Sequence, residues 1–119
     1  MNIKAVSNTN FKAKMLDRDY DFDILQNTLF ERYGIGAQDI LDFQEKLKKL
    51  PLGEVEIDQY VEHGGADYVF GTIHKPCGKK TAFDVKTYDG AFILDEIFDA
   101  VAEAFKETCT HKKCVNYKA

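Results

Sequence analysis

The chain has no tryptophan, only two prolines and only three cysteines in 119 residues. So few prolines, with eight glycines, leave no room for a long Pro-rich or Gly-rich linker. Nowhere do ~18 consecutive apolar residues occur, so no stretch reads as a membrane span. The opening Met1-Asn2-Ile3-Lys4-Ala5-Val6 lacks the apolar run of a secretory signal. An odd, low cysteine count without such a signal argues against a disulfide framework. Cys77, Cys109 and Cys114 therefore read as thiols in a reducing, cytoplasmic location.

What remains is the composition of one ordinary globular domain, 45% apolar and 30% charged. Nine Phe and six Tyr supply bulk that tryptophan does not, and a few such rings fill a small core. The expected organisation is one α+β domain over residues 1–108, followed by a polar C-terminal tail over 109–119. Charge is uneven. Residues 74–86 and residues 106–119 each carry +3, which leaves −10 on the rest of a chain whose net charge is −4. If the two segments meet, they form a basic pole on an acidic body.

Hydrophobic spacing gives the element order. Phe11, Ala13 and Met15 alternate with Lys12 and Lys14 over residues 10–16, which predicts a fourth, N-terminal edge strand guarded by lysines. Phe22, Leu25, Leu29 and Tyr33, with Phe30 adjacent, then fall on one helical stripe, with Asp21 as N-cap and Gly34 as stop. A second helix is predicted over residues 37–50, burying Ile40, Phe43, Leu47 and Leu50. Its early turns hold Asp39 and Asp42 and its last turns hold Lys46, Lys48 and Lys49, which suits the helix dipole.

From Glu54 the period becomes two. Val55 and Ile57 alternate with acids, His63-Gly64-Gly65 makes a hairpin turn, and residues 67–73 form the next strand. Residues 75–79 turn again into a strand over 81–87. Short connections between consecutive strands predict a three-stranded antiparallel β-meander. After Asp89-Gly90, a long helix should bury Leu94, Ile97, Phe98, Val101 and Phe105. Two helices before the meander and one after it would cover a single face of the sheet.

Chemistry-bearing residues cluster in one place. His74-Lys75-Pro76-Cys77-Gly78-Lys79 resembles a zinc knuckle, in which two ligands flank a turn closed by glycine. A histidine stands where the knuckle's first cysteine belongs. The resemblance implies a tetrahedral zinc site from His74, Cys77, Cys109 and Cys114. Strand and helix lengths near 23 Å and ~24 Å would return the helix end to this turn. A thiol enzyme based on Cys77 would need a base and an oxyanion site that spacing does not supply.

The α-β-β-β-α order also resembles double-stranded RNA-binding domains. Those carry a lysine-rich run at the start of the last helix; here Asp89-Gly90-Ala91-Phe92 stands there, and nucleic acid is disfavoured. The sequence reading is therefore a small non-enzymatic binding module with a protein partner. Its contact surface would include Lys75, Lys79, Lys80, Lys112 and Lys113. A structural zinc domain is the alternative, and an RNA- or DNA-binding domain or a small thiol enzyme stands behind it.

Overall fold

The computed structural model describes residues 12–16 and 19–106. Its elements run β1 (Ala13–Met15), α1 (Tyr20–Tyr33), α2 (Ala37–Leu47), β2 (Gly53–His63), β3 (Ala66–His74), β4 (Lys80–Thr87), a 3₁₀ turn (Gly90–Phe92) and α3 (Ile93–Phe105). The four strands form one sheet in the order β1-β2-β3-β4. β2, β3 and β4 are the expected antiparallel meander. β1 joins the edge in parallel, with Ala13 opposite Gly53 and Met15 opposite Val55. The sheet is mixed for that reason: a parallel neighbour needs a crossover connection, and α1 and α2 supply it.

One face of the sheet is buried. Val55 and Ile57 of β2, Val69 and Ile73 of β3, and Phe83 and Val85 of β4 alternate inward against Leu25, Leu29, Leu47, Ile97 and Val101 of the helices. The hairpin between β2 and β3 turns at Gly64 and Gly65, with φ of 63° and 83°. Both are left-handed, as a tight two-residue hairpin requires. Gly71 has a different task. A Cβ there would lie 2.2 Å from the Phe83 ring and 2.7 Å from the Glu56 carbonyl oxygen. The aromatic ring lies across the bare backbone of the neighbouring strand.

Several boundaries differ from expectation. α1 begins two residues earlier, and its N-cap is Asp19: Oδ1 accepts from the Phe22 amide at 3.1 Å, while Asp21 sits in the first turn. Oδ2 accepts from the Ile57 amide at 2.6 Å, beside a register shift between Ile57 and Gln59. One carboxylate thus joins a helix start to a strand irregularity, and burial raises its pKa despite both amide bonds. On α1, Phe22, Leu25 and Leu29 are buried, but Phe30 is exposed and Tyr33 is partly so. Tyr33 covers Gly90 instead of the core centre. α2 stops at Leu47, leaving Leu50 in the turn that follows.

Phe98 is the other correction. It is only partly buried, packed at the margin of the core with the Lys46 ammonium 4.7 Å from its ring centre. α3 is amphipathic as expected, but its inward face is Ile93, Leu94, Ile97, Val101, Ala104 and Phe105. Asp89 caps the entry to it, accepting from the Ala91 amide at 3.1 Å.

Among the described residues one buried polar group stands out. The Thr81 hydroxyl is buried on β4 and has no hydrogen-bond partner among them. An unsatisfied buried hydroxyl costs about 1–3 kcal/mol, and valine has nearly the same shape. Thr81→Val should therefore raise the unfolding free energy by about 1 kcal/mol in urea titration, and a loss of stability would show that the hydroxyl is in use.

Candidate functional site

The elements at one end of the sheet converge on a cleft of about 650 Å³, lined by Lys12, Ala13, Lys14, Lys48, Leu52, Gly53, Glu54, His74, Lys75 and Pro76. Three separate stretches of chain build it. β1 and the residue before it contribute Lys14 and Lys12, the segment from the end of α2 to the start of β2 contributes Lys48 and Leu52, and the β3–β4 turn contributes Lys75 and Pro76. Among the described lining residues are four lysines and one carboxylate, Glu54. Lys14 is 3.8 Å from Glu54, and Lys48 is 2.8 Å from Glu45. The Lys48 ammonium holds the Glu45 carboxyl below its usual range, with Lys12 adding to the effect. These pairs are exposed, so each contributes little to stability and is readily exchanged for another anion.

The β3–β4 turn is fixed by its own backbone. The Lys75 amide donates to the Lys79 carbonyl at 2.9 Å, the Gly78 amide donates to the Lys75 carbonyl at 2.9 Å, and Gly78 has φ of 93°. Lys80 opens β4 directly opposite His74. The end of α3 comes back to this region, as element lengths suggested: a Cβ on Gly53 would lie 2.9 Å from the Phe105 ring and 3.3 Å from the His74 carbonyl oxygen.

The residues predicted from sequence as a metal set fare differently. His74 lies on the helix-free face of the sheet, and its Nε2 is 2.8 Å from Glu56 Oε1. Cys77 is disulfide-bonded, where the sequence reading had it as a thiol or a thiolate ligand. Zinc binds the thiolate, so the oxidised and metal-bound forms of this residue exclude each other. Among the described residues no group of three or more His, Cys, Asp or Glu is placed to hold a metal ion. Cys109, Cys114, Lys112 and Lys113, with the rest of the predicted tail, lie outside the described residues.

Sequence reasoning placed Lys75 at the contact surface but missed its companions. Their local patterns mark Lys12 and Lys14 as guards of an edge strand and Lys48 as a helix-dipole partner. No local pattern marks them as neighbours, because β1 meets β2 across 40 positions of sequence, Ala13 to Gly53.

The opposite end of the molecule holds a second polar cluster. Asp67 is buried, and the Tyr60 hydroxyl donates to it at 3.4 Å. Arg32 forms an ion pair with Glu62 and lies 3.9 Å from Asp67. Burial, then the Asp67 charge, pushes the Tyr60 phenol up to about 12. A phenol held that high keeps its proton at neutral pH and serves as a donor, so this cluster ties α1 to the β2–β3 hairpin.

On the helix-free face, Tyr68 and Phe70 stack at 6.4 Å, and the Lys86 ammonium lies over Tyr68 and Tyr88 at 5.6 and 5.3 Å. Asp84 stands directly beside Phe70 on the neighbouring strand. No helix among the described residues is long and apolar enough to cross a membrane. Comparison of the chain with family models, with curated proteins and with solved structures finds no match.

Proposed function

We propose that the chain is a small non-enzymatic binding module whose basic cleft receives an acidic segment of a partner protein. The observation behind this reading is the concentration of Lys12, Lys14, Lys48 and Lys75 around one cleft, with Glu54 the carboxylate among its described lining residues and Glu45 beside Lys48, in a chain of net charge −4. Apolar walls at Leu52 and Pro76 suit a peptide better than a free inorganic anion. The four lysines come from three chain segments, so the charge is gathered by the fold and not by a sequence run.

Nucleic acid is the less suitable polyanion. The acid beside Phe70 and the acids Glu54 and Glu56 on the same face would repel a phosphate backbone laid across the sheet.

The test uses poly-glutamate as the probe. Binding should be measurable at low ionic strength and fall steeply as salt approaches half-molar, since exposed charges are screened within about a Debye length. Changing Lys12, Lys14 and Lys48 together to Glu should abolish it without lowering the melting temperature by more than a few degrees. Binding that persists in molar salt, or that ignores the triple reversal, would remove the electrostatic account.

A further inference from the structure

The two edges of the sheet are built differently. β1 is three residues long, carries Lys14 at its centre, and has its Ala13 amide bonded to the Leu50 carbonyl at 3.3 Å. A short, charged and partly covered strand resists pairing with another chain. β4 runs for eight residues without proline, in unbroken register with β3 from Thr87 opposite Asp67 to Lys80 opposite His74. No strand lies beyond it among the described residues. Along this open edge runs a groove of about 430 Å³ between Ala82, Phe83 and Asp84 on the strand and Ala100, Glu103, Ala104 and Lys106 at the α3 end. An edge that no described strand pairs, beside a helix, is the geometry in which an added strand is received.

We propose that the occupant is a second copy of this chain, paired antiparallel along β4 with the two-fold axis at Ala82. Four strands from each copy then make one continuous sheet. Charge selects both the partner and the register. Lys80, Ala82, Asp84 and Lys86 share the helix-free face, and residues of one face stand opposite one another across a strand pair. Centred on Ala82, Lys80 of each copy faces Asp84 of the other, and Ala82 faces itself. Centred on Phe83, lysines at 80 and 86 are opposed. Centred on Asp84, that carboxylate meets its own copy. Like charges directly opposite are destabilising.

A register centred on Val85 also pairs Lys86 with Asp84, and the helix layer rejects it. Glu96 reaches the far end of β4, where it accepts from the Thr87 hydroxyl at 3.0 Å. An axis at Val85 would therefore bring the Glu96 and Asp99 stretch of α3 toward its own copy. The axis at Ala82 instead faces the exposed Glu103–Lys106 pair, 3.9 Å apart, with the same pair reversed. That arrangement is self-complementary, as a two-fold interface requires.

The experiment is sedimentation equilibrium on the full chain from micromolar to near-millimolar concentration. Wild type should approach twice the chain mass. Lys80→Glu and Asp84→Lys should each weaken association roughly tenfold, since each turns two attractions into two repulsions. The double variant carrying both changes should return to within a few-fold of wild type, and Lys86→Glu should leave association unchanged. Lys80 and Asp84 lie outside the basic cleft, so this result stands apart from poly-glutamate binding.

A chain that stays monomeric throughout overturns the proposal. So does a double variant as weak as the singles, or a dimer that responds to Lys86→Glu and not to Lys80→Glu. Slow hydrogen exchange along the outer edge of β4 in a strict monomer would mean that another part of the same chain covers it, which also overturns the dimer.

Discussion

Asp19→Ala should lower the unfolding free energy by roughly 3 kcal/mol, measured by urea denaturation at neutral pH. A lost N-cap alone costs about 1 kcal/mol. Here the same carboxylate also serves the buried Ile57 amide at 2.6 Å, and leaving that donor without an acceptor adds about 1–3 kcal/mol. Asp19→Asn should fall between the two, because the side-chain amide keeps one acceptor and turns an N–H toward the other donor.

The pH dependence has a definite sign. Burial raises the Asp19 pKa above the ordinary 3.8. In the window between that value and the folded pKa, the native state therefore holds more protons than the unfolded chain. Stability contributed by this group falls as pH rises through the window. The gap between wild type and Asp19→Asn should be widest at the acidic end and narrow upward. A gap that widens with pH would mean that the two amide bonds outweigh burial.

The second large effect separates two neighbours on α3. Ile97 is fully buried, whereas Phe98 is only partly so. Ile97→Ala should cost about 2–5 kcal/mol through lost burial and the cavity left behind. Phe98→Ala should cost about 1–2 kcal/mol, since its ring is only partly buried, with the Lys46 ammonium over one face. Equal losses in the two variants would mean that the helix is rotated about its axis.

The meander was legible because its signals are local. Val55 and Ile57 alternate with acids, Gly64-Gly65 makes the turn, and α3 repeats its apolar residues on a helical period. Phe98 was misplaced because Leu94, Ile97, Phe98 and Val101 span a wide arc. The width of the buried face depends on what packs opposite it. Asp19 escaped notice for a related reason. Its N-cap role has a local signature that Asp21 shares, but the bond to Ile57 decides between them, and that contact spans 38 positions.

The parallel β1–β2 pairing and the basic cleft share this limit. Strand alternation in residues 10–16 identifies an extended segment but says nothing about direction or partner. Lys12, Lys14, Lys48 and Lys75 become neighbours only after α1 and α2 have carried the chain back across the sheet. The predicted hairpin at 74–79 was readable residue by residue. Its surroundings were not.

The contact between Gly71 and Phe83 limits the order in which this sheet can change by mutation. With the ring in place, even a methyl group at position 71 collides with it and with the Glu56 carbonyl behind. The backbone oxygen does not shrink, so replacing Phe83 with a smaller residue relieves only one of the two collisions. It also opens a hole in the core. Any path that puts a side chain at 71 must shift β2 against β3 as well as trim position 83. Single steps in either direction lower stability first. The two positions, twelve apart in sequence, therefore behave as one heritable unit, frozen until a third change on β2 releases them.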